Sequence, residues 1–179
     1  MDNIFENILE LQKQLTTLEH QHWVKTVVFS FNWWILLVLL IVPWFFWWKL
    51  SDKKRLKEIL LFGSYIMVVS STLDDFGLAL SYWAYPYQLL QVGDRLNSVD
   101  LTTLPILYML IYQYFPRWKH FIIANLIFSF SCAFVFEPLL IWMGIYIKLS
   151  WKYMYSFPIY FVIAIVGKLM LSKINRLSE

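Results

Sequence analysis

Four carboxylic acids interrupt otherwise apolar stretches of the sequence, and they are the side chains best suited to chemistry. Asp74 and Asp75 lie late in one apolar run, Asp100 opens the next, and Glu137 lies inside a third. A charged carboxylate within a bilayer costs at least about 2.5 kcal/mol on insertion scales, so acids in such positions indicate a functional site. Three helices would bring these four acids to one part of a helical bundle, where they could capture a cation or a proton.

Aromatic and basic residues close to these acids predict the walls of the same site. Beyond the acids, the predicted ligand-binding residues are Tyr108, Trp151, Lys152 and Tyr155. Opposite charges attract more strongly in a medium of low dielectric constant. We therefore predict an acidic pocket walled by aromatic rings, with Arg95 and Lys152 as candidate counter-ions.

Each acid also has a purely structural interpretation. An aspartate that opens a helix, as Asp100 would, is commonly an N-cap. Asp74 and Asp75 are consecutive and point about 100° apart on a helix, so they cannot both face one pocket squarely. Glu137 precedes Pro138, which removes a backbone donor and favours a local kink. On this interpretation the acids set helix geometry and bind nothing.

Other chemical motifs are missing from the sequence. The chain has three histidines, His20, His22 and His120, and one cysteine, Cys132. It has no phosphate-binding loop, no Gly-x-Ser-x-Gly elbow and no His-Glu-x-x-His motif. The sequence therefore predicts no metal site and no nucleic-acid partner, and it leaves any cofactor and any catalytic residue unassigned.

The composition is typical of an integral membrane protein. Of 179 residues, 60% are hydrophobic, 20% are aromatic and only 15% are charged, whereas soluble domains carry about 25% charged residues. A soluble fold of this size would need far more polar surface to cover its core.

Apolar runs predict five membrane-spanning helices, because about 20 helical residues cross a hydrocarbon core of roughly 30 Å. The predicted spans are about 26–48, 59–82, 100–115, 121–147 and 151–171. The third run is short and therefore marginal. The predicted fold is an all-α membrane protein, in which a bundle of about five transmembrane helices over 26–179 follows an amphipathic helix over 1–25.

The amphipathic helix is predicted from an apolar stripe with alternating spacings of four and three residues. The stripe consists of Ile4, Ile8, Leu11, Leu15 and Leu18. Its polar face is mostly acidic, whereas helices that lie on anionic lipid favour basic faces. We therefore expect it to pack on the protein itself or against a helical partner.

The distribution of basic residues predicts the orientation in the membrane, since cytoplasmic loops are enriched in Lys and Arg. With the amino terminus outside and the carboxyl terminus in the cytoplasm, ten of the 15 basic residues lie on the inner side. Five of those ten are Lys49, Lys53, Lys54, Arg55 and Lys57. This orientation places the four acids towards the outer side.

Several short runs resemble a known family. They are Asp100–Pro105 (Asp-Leu-Thr-Thr-Leu-Pro), Tyr108–Gln113 (Tyr-Met-Leu-Ile-Tyr-Gln), Phe136–Pro138 (Phe-Glu-Pro) and Tyr155–Tyr160 (Tyr-Ser-Phe-Pro-Ile-Tyr). The chain resembles, over about residues 60–165, a family of small uncharacterised multi-pass membrane proteins of Bacillus- and Clostridium-type bacteria. The resemblance implies a bacterial cytoplasmic membrane and carries over no catalytic residue.

Three functions fit the sequence. The first is binding or transport of a cation, a proton or an amphiphilic ligand through the acidic pocket. The second is an intramembrane enzyme acting on an isoprenoid or lipid, in which a buried acid adds a proton to a double bond and aromatic rings stabilise the carbocation. The third is an interaction protein whose N-terminal stripe pairs with a partner while the acids only set helix register. We rank binding or transport first.

Overall fold

The computed structural model describes residues 3–91 and 93–178, and these residues form an all-α fold. The helices are α1 (Asn3–His22), α2 (Phe31–Leu50), α3 (Leu56–Ala79), α4 (Leu104–Tyr114), α5 (Trp118–Ser131), α6 (Glu137–Trp142) and α7 (Tyr153–Ser178). Three five-residue π-helical turns, Trp23–Val27, Val99–Thr103 and Cys132–Phe136, and a 3₁₀ turn, Lys53–Arg55, adjoin them.

Four helical segments in the described part of the chain are long and apolar enough to cross a membrane. They are Phe31–Leu50, Lys53–Ala79, Trp118–Trp142 and Tyr153–Leu177. Their composition is compatible with a membrane protein, as the sequence predicts. The predicted third span is helical over 99–114 but falls below the length of the other four.

The predicted start of the first span at residue 26 differs from the structure. The helical region that begins with α1 runs to Val27, and α2 begins only at Phe31. Between them Phe29 adopts a positive φ of 60°, and the Ser30 hydroxyl accepts a hydrogen bond from the Trp33 N–H at 3.2 Å. A turn and an N-cap therefore separate two helices where hydropathy alone suggests one continuous run.

Helix α1 lies against the loop that follows α3 and leaves its apolar stripe uncovered. Ile4, Leu11 and Leu18 expose 66%, 64% and 63% of their surface. The polar contacts come from the end of the helix, where His20 Nδ1 lies 2.7 Å from Gln91 Oε1 and the Trp23 indole donates to the Gln88 carbonyl at 3.0 Å.

The core forms where α3, α4, α5 and α7 meet. The rings of Phe62 and Tyr112 stack with centroids 4.4 Å apart, and Phe121 meets Phe62 edge-on at 6.4 Å. All three residues are buried. Because α4 lies inside this packing, it supplies more buried residues for its length than the longer helices around it.

Two π-helical turns precede prolines, and each turn holds or adjoins one of the acids. The turn Val99–Thr103 contains Asp100 and leads to Pro105, and the turn Cys132–Phe136 ends immediately before Glu137 and Pro138. A proline has no N–H for the carbonyl four residues earlier, so the helix loosens just before it. The predicted kink at Pro138 takes this form, and the Glu137 N–H donates to the Cys132 carbonyl.

A two-stranded antiparallel sheet joins two loops at one end of the bundle. Strand β1 (Trp83–Ala84) pairs with β2 (Ile147–Lys148), with Trp83 opposite Lys148 and Ala84 opposite Ile147. Each strand has only two residues, too few for sequence alternation to reveal. The pairing fixes the loop after α3 beside the loop after α6.

Candidate ligand-binding site

A cavity of about 230 Å³ lies at the end of the bundle next to this sheet. We call it the acidic cavity, because Asp74, Asp100 and Glu137 line it. The three acids are 7–8% exposed. They come from α3, from the turn before α4 and from the start of α6, so three separate parts of the chain meet there.

Asp74 has the largest number of hydrogen bonds of the three acids. Its Oδ1 accepts from the Trp83 indole N–H at 2.8 Å and from the Tyr85 hydroxyl at 2.7 Å. Its Oδ2 accepts from the Leu96 N–H at 3.4 Å. Burial, and secondarily the charges of Asp74 and Asp100, raise the pKa of Tyr85 well above its usual value. Tyr85 therefore stays neutral and donates to Asp74.

Asp100 lies inside a π-helical turn and does not cap a helix. The N-cap position of this turn belongs to Ser98. The Asp100 backbone carbonyl accepts from the Ser70 hydroxyl at 3.2 Å, and its carboxyl group lies within hydrogen-bond reach of the Asp74 carboxyl. The Oδ2 atom of Asp100 is buried and has no hydrogen-bond partner among the described residues.

Glu137 has hydroxyl neighbours and one unpaired oxygen. Its carboxyl group lies beside the hydroxyls of Ser156 and Tyr160 on α7. Ser156 in turn accepts from the Trp151 indole N–H at 2.8 Å, which leaves the Ser156 proton free to point at Glu137. In the described part of the chain, the buried Oε2 of Glu137 meets no donor.

Aromatic rings form much of the remaining wall. Trp83 and Trp151 meet edge-on with centroids 5.1 Å apart, and Tyr82 lies 5.2 Å from Trp151. Tyr85 and Tyr146 are 5.6 Å apart. Burial, with smaller contributions from Glu137 and Asp74, raises the pKa of Tyr146. Tyr85 and Tyr146 thus contribute ring faces and neutral hydroxyls, and no negative charge.

The lining includes no Lys or Arg among the residues that the structure describes. Two basic residues outside the lining, Arg95 and Lys148, attract Asp100 and Glu137 electrostatically, but their direct contacts are with other residues. Arg95 forms an ion pair of 3.1 Å with Asp75, and the Lys148 ammonium lies 3.6 Å from the centre of the Tyr153 ring. The cavity therefore concentrates carboxyl groups without a lysine or arginine on its wall.

The remaining predicted site residues do not line the cavity. Asp75 is exposed, as the angle between consecutive helical residues requires if Asp74 faces inward. Tyr108 is fully buried and donates to the Tyr160 carbonyl at 2.7 Å. Lys152 and Tyr155 are exposed, although Tyr155 touches the Trp151 ring with centroids 5.4 Å apart.

Three residues of the cavity wall, Tyr146, Ser156 and Tyr160, are absent from the site predicted from sequence. Tyr146 precedes the two-residue strand β2, which carries no sequence signal. Ser156 and Tyr160 do have one, because they lie four residues apart and so share a face of α7. Ser156 is also a small polar residue within an apolar run.

Neither the residues nor the comparisons with known proteins identify a metal or a relative. Among residues 3–91 and 93–178, no group of three or more His, Cys, Asp or Glu side chains could hold a metal ion. No family model, curated protein or solved structure matches the chain. The resemblance to the Bacillus- and Clostridium-type membrane family therefore stays a prediction.

Proposed function

We propose that this protein is a membrane receptor or carrier that binds a cation in the acidic cavity. The observation that supports this proposal is the pair of unpaired buried carboxyl oxygens, Asp100 Oδ2 and Glu137 Oε2, on a wall without a described Lys or Arg. Burying a carboxyl oxygen without a partner costs free energy. A bound cation would supply the missing charge and hydrogen bonds.

Aromatic rings add to the attraction. A cation near the face of a Trp or Tyr ring gains about 0.5–2 kcal/mol, and more when water is excluded. Trp83, Trp151 and Tyr146 all line the cavity. The same cavity, at about 230 Å³, is larger than the roughly 150 Å³ that accommodates benzene in an engineered protein, so it has room for an organic cation.

We propose binding in preference to passage through the whole bundle. Below the cavity, Phe62, Tyr108, Tyr112 and Phe121 are buried and packed together. A route to the opposite end would have to displace these rings, which meet at centroid distances of 4.4–6.4 Å.

We further propose a bundle of five passes in a bacterial cytoplasmic membrane, with the amino terminus and the acidic cavity on the outer side. The turn Val99–Thr103 and α4 together rise about 24 Å. Surrounding helices bury Leu104, Ile106 and Met109, so this segment needs no long lipid-facing surface. Lys168 donates to the Phe115 and Pro116 carbonyls at 3.1 and 2.9 Å, which satisfies the backbone where the segment ends.

The exposed stripe on α1 supports a separate role as an amphipathic helix that meets a helical partner. Its Ile8 and Leu15 expose 47% and 54% of their surface. Changing Leu11 and Leu15 to aspartate would abolish such a complex and leave the cavity intact. A complex that survives this double change on size-exclusion chromatography would exclude the role.

A lipid-modifying enzyme is the second candidate. The observation that favours it is the contact between the Asp74 and Asp100 carboxyl groups. Two carboxyl groups so close in a dry site cannot both be ionised, and one can hold a proton for transfer. The test is a comparison of lipid extracts from cells with and without the gene, in which identical lipid profiles would exclude this activity.

Native mass spectrometry of the protein released from nanodiscs tests the binding proposal. Ethylammonium serves as the probe cation. We expect the wild-type protein to retain ethylammonium or a co-purified cation, and Asp100→Asn and Glu137→Gln to lose it by at least about tenfold. Asp75→Asn is the matched control, because it removes an acid beside the cavity but outside it. Equal binding by all four proteins, or binding by none, would refute the proposal.

A further inference from the structure

The acidic cavity opens along one face of α3. Leu73 and Phe76 line it from α3, and Leu80 lines it just beyond the last helical residue. These residues are also 38%, 62% and 58% exposed. They recur at spacings of three and four, so they form one continuous apolar stripe. The mouth of the cavity is therefore apolar and lies on the side of the bundle.

In a bundle that spans the membrane, the exposed side chains of Leu73 and Phe76 meet lipid. Both residues belong to a helical span of 27 residues, and the same face of α3 becomes buried only further from the cavity, at Phe62 and Ile66. A ligand with an apolar chain could thus place its head in the cavity while the chain stays among the lipid tails.

The unpaired carboxyl oxygens determine which kind of ligand headgroup the acidic cavity can bind. Asp100 Oδ2 and Glu137 Oε2 are both acceptors, and their residues are 8% exposed. A primary ammonium group has three N–H donors, enough in number for both oxygens. A quaternary ammonium group carries the same charge but has no N–H, so it would leave both oxygens unpaired.

We infer that the ligand is a primary ammonium compound with a long apolar chain, which enters sideways from the outer leaflet. Its ammonium group binds Asp100 and Glu137, and its chain lies over Leu73, Phe76 and Leu80. The inference rests on the proposed cation binding and goes further, because it specifies the head, the chain and the route.

An ammonium head on an apolar chain occurs both in single-chain amines and in the lipid phosphatidylethanolamine. The lipid also carries a phosphate beside its ammonium group. The described lining has no Lys or Arg to pair with that phosphate, and the three acids would repel it. A single-chain amine without phosphate is therefore the ligand that the cavity favours.

Competition measured by native mass spectrometry in phosphatidylcholine nanodiscs tests the inference. Bound ethylammonium is displaced by dodecylammonium, by dodecyltrimethylammonium, by 1-dodecanol or by added phosphatidylethanolamine. We expect dodecylammonium to displace it at a concentration at least about tenfold lower than any of the other three. Equal displacement by dodecyltrimethylammonium would overturn the primary ammonium head, and stronger displacement by phosphatidylethanolamine would overturn the choice of a single-chain amine.

The variant Phe76→Ala tests the route. Phe76 is exposed, so its removal should leave the fold intact. We expect dodecylammonium to bind about fivefold to tenfold more weakly, a loss larger than any loss for ethylammonium, which has no long chain to lie over Phe76. Phe46→Ala is the matched control, since Phe46 is 57% exposed on α2 and lies outside the described lining. Unchanged dodecylammonium binding in Phe76→Ala would overturn the lateral mouth while cation binding stands. Failure of ethylammonium itself to bind would refute the proposed function instead.

Discussion

The two ends of the bundle both hold ionisable groups, but those groups differ in their partners within the protein. At the end opposite the cavity, Glu58 accepts from Arg55 Nε at 3.0 Å, from the Tyr112 hydroxyl and from Asn175 at 3.3 Å. Lys168 donates to two backbone carbonyls and lies 4.0 Å from the centre of the Phe121 ring. The half-buried Glu58 and the buried Lys168 therefore both have partners within the protein.

The acidic cavity has three carboxyl groups and leaves two buried oxygens unpaired. Glu58 and Lys168 find their partners within the protein, whereas no Lys or Arg among the described residues lines the acidic cavity. A buried charged group that has partners within the protein belongs to the fold, whereas a buried carboxyl oxygen without a partner is evidence for an external ligand.

The largest effect is expected from Lys168→Ala. This change leaves the Phe115 and Pro116 carbonyls without their donor and removes a buried cation from three aromatic rings. We expect the free energy of unfolding to fall by about 3 kcal/mol, measured by denaturant titration in detergent micelles. Lys173→Ala on the same helix is the control, because Lys173 is exposed. Similar stability for the two variants would contradict a structural role for the contacts of Lys168.

An intermediate effect is expected from Gly77→Ala. A Cβ atom at Gly77 would lie 1.9 Å from Cζ2 of Trp83, so the indole must move and lose its hydrogen bond to Asp74. Overpacking of this kind costs about 1–3 kcal/mol. We expect weaker ethylammonium binding as well, and a change in tryptophan fluorescence that reports the displaced ring.

Gly63→Ala is the matched control for that displacement. Its Cβ atom would meet the end of the flexible Met109 side chain, 2.3 Å from the sulfur, away from the cavity. The control should alter stability without altering cation binding. If Gly77→Ala binds ethylammonium as well as Gly63→Ala does, Trp83 is not part of the site.

The smallest expected effect is that of Asp100→Asn, and it is informative because this substitution of a buried residue should stabilise the protein. Asp100→Asn replaces one acid of the close Asp74–Asp100 pair by a neutral amide and supplies an N–H to the neighbouring Asp74 carboxyl. We expect the ligand-free protein to gain about 1 kcal/mol in stability, seen as a higher unfolding temperature. Asp75→Asn should change stability by less, since its ion pair with Arg95 is exposed. A destabilised Asp100→Asn would mean that this acid is structural, like Glu58.

Much of the outline of this protein follows from local sequence. Long apolar runs predict helices that can cross a membrane, because a helix satisfies its own backbone without water. The pair Glu137 and Pro138 predicts a kink, because proline lacks the donor that a regular helix needs. The consecutive positions of Asp74 and Asp75 predict that at most one of them faces a common pocket squarely.

The tertiary structure determines which acid faces inward and which side chains surround it. Asp74 and Asp75 are adjacent acids on one helix, and the packing of α3 against α4 and α7 determines that Asp74 is buried and Asp75 exposed. Tyr146, Ser156 and Tyr160 reach the cavity through loop pairing and helix contacts between residues far apart in sequence. Burial, unlike helix formation, depends on these distant neighbours. For that reason the sequence indicated Asp74, Asp100 and Glu137 as site residues but not the hydroxyl groups of Tyr146, Ser156 and Tyr160.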